Sequence, residues 1–279
     1  MTRTLRIAAL ALALAVFAAP SALAGLFGPA QSNIPPELAA KLDKPVPQSL
    51  ITTLEQASKA GLGLGVAPGV IHLKAISGQR LNKGNKPGLL YIGADFCPYC
   101  AGQRWALILT LVRFGKLTGL GYMFSASRDV YPNTVTFSFL RAHYVSPYLA
   151  FRAVETQDRN YKPLMKMTAQ EQKIFNTFDA PPYTQVFGGI PFIYLDGQYM
   201  LTTPMLLPSE IIGRRWNSVA TELANPQSKL FQKVMPQVNL LSAAICRLNG
   251  GNPNDVCSAP GIIAANGALL RLGNPGRRQ

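Results

Sequence analysis

The sequence has few of the residues that metal and nucleic-acid sites use. It contains two histidines and four cysteines in 279 residues, and 13 acidic residues against 27 basic ones. Zinc in structural sites has four ligands. His72 and His143 are isolated, and both lie in strand-like segments, so we expect ordinary sheet residues and no metal. No run of five basic residues and no nucleic-acid-binding motif occurs, which argues against a nucleic-acid partner.

Long apolar runs are absent except near the start. Basic residues come first, followed by an apolar stretch from Ile7 to Ala19 and small residues up to Ala24. This pattern predicts a secretory signal peptide over residues 1–24 that is cleaved after Ala24. The alternative is a membrane anchor, for which the stretch is short. We therefore expect a periplasmic or secreted chain with no transmembrane segment after cleavage.

Negative charge is also scarce. The formal net charge is +14 at pH 7, and loss of Arg3 and Arg6 with the signal peptide leaves +12. The basic residues are dispersed, which is typical of a solvated surface and allows a mild preference for anionic surfaces or acidic partners. About 255 residues remain after cleavage, enough for one enlarged domain or two small ones.

All four cysteines lie in the expected mature chain. In an oxidising compartment the even count favours two disulfides, Cys97–Cys100 and Cys246–Cys257. The second would close a turn-rich loop and contribute about 2–3 kcal/mol, which predicts a structural disulfide. The alternative is a second redox pair that passes electrons to Cys97–Cys100.

Cys97 and Cys100 lie between a predicted strand and a predicted helix. The apolar run 89–94 follows turn-forming residues and predicts a buried strand. Residues 101–112 have apolar side chains at helical spacing. Cys97 would then lie at a helix N-terminus, where unpaired N–H groups and the helix dipole stabilise a thiolate. Pro98 suits the first helical position.

This placement predicts redox chemistry. Cys97 would attack a disulfide, and Cys100, one turn into the helix, would resolve the mixed disulfide and release the substrate. The alternatives are a static disulfide, which would stabilise little across so short a loop, or half of a metal site. Because two sulfurs carry the electrons, we expect no organic cofactor.

The rest of the chain predicts a mixture of helices and strands. A proline-rich lead-in over 25–48 precedes a helix over 49–60 with Ser49 as N-cap. A strand over 70–76 is expected to pair with 89–94. The remaining predictions are a strand over 122–127, an extra hairpin of 135–144 with 148–155, a helix over 168–178 with a Thr168–Glu171 capping box, a hairpin at Asp196-Gly197 that Pro191 opens, and helices over 209–224 and 228–248.

Cys97-Pro98-Tyr99-Cys100 between strand and helix, with Ile190-Pro191 opening a later hairpin, resembles the thioredoxin superfamily. The resemblance implies a thioredoxin-like α/β fold over residues 69–225, in which a mixed central sheet is flanked by helices. A β/α insertion falls at about 128–180, between the CxxC helix and the cis-proline strand. Residues 25–68 are then the lead-in and short helix, and residues 226–279 a C-terminal helical extension with the second disulfide.

The resemblance also assigns residues. Pro191 is expected to be cis and to lie beside the cysteine pair, Ile190 to offer backbone hydrogen bonds to a substrate chain, and Pro98 and Tyr99 to contact the substrate. Thioredoxins have a buried Asp six residues before the first Cys, where this chain has Tyr91. Asp95 is not an obvious substitute for that Asp as the proton acceptor of Cys100.

More narrowly, two parts of the chain are similar to an uncharacterised extracytoplasmic thioredoxin-like family first described from archaea. They are residues 129–139 and the late segments Ile245-Cys246 and Val256-Cys257. That family implies the fold but no substrate.

The sequence thus predicts an extracytoplasmic protein disulfide oxidoreductase with a redox-active cysteine pair. Its partners would be exported thiol-containing proteins and a membrane redox protein that resets the pair. Oxidation, reduction and isomerisation all stay open. The alternative is a non-enzymatic thioredoxin-fold binding protein, either a metal chaperone or an adhesion module. Trp105 and the Tyr131-Pro132 loop would line a substrate groove, or else serve in the core and in a turn.

Overall fold

The structure is a computed structural model that describes residues 34–81 and 83–272. The expected signal peptide and the first part of the lead-in lie outside the described residues. The helices are α1 (Pro36–Ala39), α2 (Gln48–Leu62), α3 (Pro98–Leu111), α4 (Ala169–Phe178), α5 (Trp216–Ala224), α6 (Lys229–Leu248), α7 (Asn254–Cys257) and α8 (Pro260–Leu270). The strands are β1 (Lys74–Ala75), β2 (Gly88–Gly93), β3 (Lys116–Thr118), β4 (Gly121–Phe124), β5 (Val135–Ser138), β6 (His143–Val145), β7 (Ala150–Glu155), β8 (Phe192–Leu195) and β9 (Tyr199–Leu201).

The central sheet has five strands in the order β1-β9-β8-β2-β7. Strand β2 runs parallel to β7 and antiparallel to β8, and all six of its residues are buried. Leu89 and Tyr91 pack in one core with α2, α3, α5, α6 and α8, whereas Leu90 and Ile92 pack with α4 on the other face. The expected α/β class, with a mixed central sheet flanked by helices, is therefore confirmed.

Two small sheets are formed by strands that lie between α3 and α4 in the sequence. Strands β5 and β6 fall within the range 128–180 expected for the insertion, whereas β3 and β4 precede it. Strand β3 pairs with β6, and β4 pairs with β5. Trp105 Nε1 donates to the Val135 carbonyl at 2.9 Å and Trp216 Nε1 to the Thr136 carbonyl at 2.5 Å. The two indoles therefore satisfy consecutive carbonyl groups of β5.

The predicted hairpin of 135–144 with 148–155 is wrong. Its first half divides into β5 and β6, and its second half becomes β7, which joins the central sheet beside β2. The β-branched and aromatic residues indicate strands, but they do not indicate which strand pairs with which. A parallel partner reached through a long crossover leaves no local signal of the kind that a hairpin turn leaves.

Three other predictions require correction. Strand β1 is shorter than 70–76 and pairs with β9, because β7 and β8 already occupy both edges of β2. The helix over 209–224 divides into a 3₁₀ turn at Pro208–Glu210 and α5, and Gly213 between them has φ +73°. Helix α2 begins at Gln48 and has Pro47, not Ser49, at its N-cap position.

Several local predictions are confirmed. Helix α4 has the Thr168–Glu171 capping box, and Asp196-Gly197 joins β8 to β9. Helix α6 has Ser228 as its N-cap and continues past Pro236.

Helix α8 occupies a short apolar stretch after residue 260, for which the sequence analysis predicts no helix. No helix in residues 34–81 or 83–272 combines the length and apolar character needed to cross a membrane.

Candidate functional site

The cysteine pair lies at the junction between β2 and α3. Cys97 is the N-cap of α3, and Pro98 is the first helical residue. The Cys100 N–H donates a hydrogen bond to Cys97 Sγ, with 3.2 Å between the two atoms. The sulfur therefore takes the place of a capping oxygen and satisfies one N–H group at the start of the helix. The predicted position of Cys97 at a helix N-terminus is confirmed.

The environment of Cys97 favours its thiolate. Both cysteines are free thiols, so the structure shows the pair reduced rather than as the disulfide expected in an oxidising compartment. The hydrogen bond from the Cys100 side chain lowers the pKa of Cys97, and backbone N–H groups and Arg104 act in the same direction against burial. Cys97 is buried but keeps 5% of its surface exposed, whereas Cys100 has none.

The environment of Cys100 favours its thiol. Its side chain is fully buried. Burial, followed by the hydrogen bond with Cys97 and the charge of Cys97, raises the pKa of Cys100 well above its usual value. Arg104 and the Ala94 backbone act in the opposite direction. The two cysteines therefore differ in ionisation, which is the difference expected between an attacking and a resolving thiol.

The peptide between Ile190 and Pro191 faces Cys97. This peptide bond is cis, and Ile190 O lies 3.7 Å from Cys97 Sγ. Pro191 immediately precedes β8, which pairs with β2, and this pairing places the two segments side by side. The structure thus brings Cys97, Cys100, Ile190 and Pro191 together.

Pro98 and Tyr99 differ in their access to solvent. Pro98 is buried and begins α3, so its expected contact with a substrate is not supported. Tyr99 is 39% exposed, and its ring makes an edge contact with Tyr131 at 5.9 Å. The loop at Tyr131 therefore borders the cysteine pair, whereas Trp105 is fully buried in the core.

Exposed apolar residues lie in the loops near the pair. The Phe96 ring packs on Tyr161 at 4.5 Å, and the Tyr161 hydroxyl donates to the Arg128 carbonyl at 3.2 Å. These contacts join the chain just before Cys97 to two loops of the insertion. Other exposed apolar residues in the loops around the site are Val130, Val186 and Phe187.

Asp179, at the end of α4, contacts the loop that leads to Ile190. Its side chain is buried and faces the backbone N–H groups of Gly188 and Gly189. Burial raises the pKa of Asp179, and hydrogen bonds from these N–H groups and from Thr184 oppose that rise. The second core, on the α4 face of the sheet, therefore also supports the segment opposite Cys97.

A buried ion pair lies one helical turn beyond Cys100. Arg104 of α3 donates from Nε and Nη2 to the two carboxylate oxygens of Glu155 in β7, at 2.9 and 2.7 Å. Nη2 also donates to the Ala94 carbonyl at 2.6 Å. Burial is the largest single effect and would lower the pKa of Arg104, but Glu155, Tyr91 and Asp95 together outweigh it, and the pKa lies well above its usual value. The guanidinium is therefore a permanent buried charge.

Two more buried side chains adjoin this ion pair. Asp95 Oδ1 lies 3.4 Å from Arg104 Nη2, and Ser138 Oγ donates to Asp95 Oδ2 at 3.1 Å. Burial and then the charge of Glu155 raise the pKa of Asp95 to about 7. The Tyr91 ring centroid lies 6.0 Å from Arg104 Cζ. An aromatic ring, and not a carboxylate, therefore occupies the position six residues before Cys97.

Sequence reasoning misses Arg104 and Glu155, because a single charged residue in a mixed segment usually faces solvent. One signal was available. Arg104 is four residues from both Cys100 and Ile108, so it lies on the same face of the helix as these two residues, which is a buried face. Glu155 has no comparable local signal, since its partner is 51 residues away.

The other sequence candidates lie apart from this site. Cys246 and Cys257 form a disulfide that joins the end of α6 to α7, with 5.6 Å between their Cα atoms. His72 is half-buried, and burial lowers the pKa of His72, while His143 is exposed on β6. Within residues 34–81 and 83–272, no group of three or more His, Cys, Asp or Glu side chains is arranged to hold a metal ion.

The fold and the site define an α/β protein with a free cysteine pair at the N-terminus of the helix that follows β2, an inner strand of its central sheet. Residues 72–247 match the family described as Domain of unknown function (DUF929). Because this match covers more than half of the chain, the protein belongs to that family. No curated protein and no solved structure matches the chain.

Proposed function

We propose that the protein is a thiol–disulfide oxidoreductase with a thioredoxin-like fold, acting outside the cytoplasm on exported proteins. One observation carries the proposal. Cys97 is a free thiol at a helix N-terminus, its pKa is lowered chiefly by a hydrogen bond from Cys100, and its sulfur faces the Ile190 carbonyl at 3.7 Å. A cysteine with only a structural role requires none of these features.

Exchange takes two displacement steps. The Cys97 thiolate attacks a substrate disulfide, whose S–S bond breaks; one substrate sulfur leaves as a thiolate and the other is bonded to Cys97. Cys100 then loses its proton and attacks Cys97 Sγ. The Cys97–Cys100 disulfide forms, and the second substrate sulfur leaves and takes up a proton. The substrate gains two electrons and the pair loses two, and the reverse sequence oxidises a substrate dithiol.

The neighbouring groups suit a polypeptide substrate. An extended chain bonded to Cys97 would pass Ile190, whose backbone can hydrogen-bond to it, and Tyr99 offers an exposed aromatic surface beside the sulfur. A membrane redox partner resets the pair and decides whether exported proteins are oxidised or reduced. The signal-peptide pattern at the start of the sequence supports this location.

Two single variants test the proposal. Cys97→Ser should abolish reduction of insulin by dithiothreitol with the protein as catalyst, because the attacking sulfur is lost. Cys100→Ser should retain the first step and accumulate mixed disulfides with envelope proteins, seen as higher-mass species that a reductant dissolves.

The Cys246→Ser/Cys257→Ser double variant is the control, since it removes the same number of sulfurs elsewhere. Insulin reduction that survives Cys97→Ser would refute the mechanism. Absence of exchange in the unaltered protein, together with copper or zinc that co-purifies, would instead favour a metal-binding protein.

A further inference from the structure

The cluster around Arg104 contains buried polar atoms that have no hydrogen-bond partner. Seven buried side-chain polar atoms in the described part of the chain have no hydrogen-bond partner. Three of them, Tyr91 OH, Asp95 Oδ1 and Arg104 Nη1, belong to the cluster around the buried ion pair. Buried atoms of this kind are rare in folded proteins and often mark functional positions. Here one of them belongs to the Arg104 guanidinium, and the other two belong to side chains that lie beside it.

We propose that Arg104 is a positioning residue for the second step of exchange: its guanidinium, fixed by Glu155, stabilises the thiolate that Cys100 forms when it resolves the mixed disulfide. This inference rests on the proposed function. Arg104 and Cys100 lie on the same side of α3, four residues apart. Both also contact the Ala94 peptide, Arg104 at its carbonyl and Cys100 at its N–H.

The second step is where this charge matters most. In the reduced pair, the hydrogen bond with Cys97 and the charge of Cys97 add to burial in raising the pKa of Cys100. Once Cys97 is bonded to a substrate, its sulfur is neutral and both of these effects end. Burial then remains as the barrier to ionisation, and Arg104 opposes it. Over the whole step, Cys100 loses one proton and the departing substrate sulfur takes one up.

Glu155 has the role of holding the guanidinium. Its carboxylate receives two of the hydrogen bonds of Arg104, and no part of Arg104 or Glu155 is exposed to solvent. A guanidinium fixed in this way needs no reorganisation when the thiolate forms. The titratable or charged groups around the guanidinium are Tyr91 from β2, Asp95 from the following loop, Cys97 and Cys100 from the start of α3, and Glu155 from β7.

A small-molecule disulfide used as the substrate allows the two displacement steps to be followed separately. The full chain is reduced and mixed with one equivalent of dithiobis(nitrobenzoate), and release of the coloured thiolate is followed in a stopped-flow instrument. The first phase reports attack by Cys97 and the second reports attack by Cys100. The variant Arg104→Met/Glu155→Leu removes both partners of the ion pair, so that neither is left as a buried lone charge.

We expect the double variant to slow the second phase about tenfold or more near neutral pH and to move its pH midpoint upward, since one pKa unit is a tenfold change in ionisation. Arg104→Lys keeps a charge at this position and should retain most of the second-phase rate. Glu155→Gln keeps the guanidinium charged, so its second phase should not fall as far as that of the double variant. The first phase should change less than the second in each case.

Arg113→Met is the matched control, because Arg113 is also buried in the core but bonds to Ser58 and Ser242, away from the cysteines. A second phase in the double variant that matches the unaltered protein in rate and pH midpoint would overturn the inference. A second phase that Arg104→Lys slows as much as the double variant does would also overturn it. The probe tests the thiols alone. A protein that shows both phases but exchanges no disulfides with proteins would refute the proposed function and leave this inference intact.

Discussion

Among single residues, Asp95 has the environment with the clearest consequence for stability. It is 1% exposed, and burial followed by the charge of Glu155 raises the pKa of Asp95 to about 7, even though Arg104 lies nearby. Between about pH 4 and pH 7 the folded protein keeps a proton that the unfolded chain has released. The contribution of Asp95 to the free energy of unfolding therefore falls as pH rises through this window, and the loss is complete above it.

Asp95→Asn should remove the loss of stability that ionisation of Asp95 causes as pH rises. We expect the variant to be more stable than the unaltered protein at about pH 8, by on the order of 2–4 kcal/mol, and similar in stability at about pH 4. Urea unfolding at both pH values measures the difference. The exposed Asp255→Asn is the control and should change little at either pH. A variant that is no more stable than the parent at the higher pH would show that Asp95 is ionised at little cost.

The residues at the site differ in how far the sequence could predict them. Cys97 and Pro98 are recognisable because the helix N-terminus is a local feature, encoded by an apolar run, a proline and the helical periodicity that follows. Arg104 is not recognisable in the same way, since its burial depends on Glu155, which lies 51 residues further along the chain. The position of Ile190 beside Cys97 is an intermediate case, because only the resemblance to thioredoxins predicts it.

Among the elements, α3 packs closely against the loop after β9 at Gly102. A Cβ added to Gly102 would overlap the Leu206 carbonyl. Alanine in a helix interior is normally more stable than glycine by about 1 kcal/mol, but here the overlap should reverse the sign and destabilise by about 1–3 kcal/mol. Gly267→Ala in α8, where nothing lies within 4 Å of an added Cβ, is the control and should be neutral or stabilising.

Urea unfolding of Gly102→Ala and Gly267→Ala provides the comparison. If both substitutions stabilise the protein, the contact of α3 with the loop after β9 is looser than the structure describes. The expected pattern, with opposite signs for the two variants, would show that α3 is fixed at Gly102 against the segment that follows the hairpin.

The strands show where sequence periodicity is insufficient. The hairpin of β8 and β9 is predictable because Asp196-Gly197 specifies both the turn and the pairing. The pairing of β7 with β2 is not predictable in this way, because parallel partners are separated by α3 and the small sheets. A strand such as β1, with two residues in the ladder, has too few positions for a period of two to define its partner.

For the whole molecule, one core joins parts that the sequence divides into separate segments. Leu54 of the helix after the lead-in, Trp105 of α3 and Val238 of α6 are fully buried in the same cluster. Composition marks the lead-in as proline-rich, and the resemblance to thioredoxins implies that the C-terminal helices are an extension. Neither shows what covers the apolar face of each helix. The helical layer over one face of the central sheet is therefore built from both ends of the described chain.

The disulfide between Cys246 and Cys257 belongs to this layer, and its role can be separated from that of the redox pair. It closes a loop with a sequence separation of 11 residues, for which loop entropy predicts about 2–3 kcal/mol of stabilisation. Cys246→Ser/Cys257→Ser should therefore lower the free energy of unfolding by about that amount, measured by urea unfolding. Its rate of insulin reduction at a temperature where it stays folded should match that of the unaltered protein, because Cys97 and Cys100 are untouched. Loss of exchange in the folded variant would instead identify a second redox pair that passes electrons to the first.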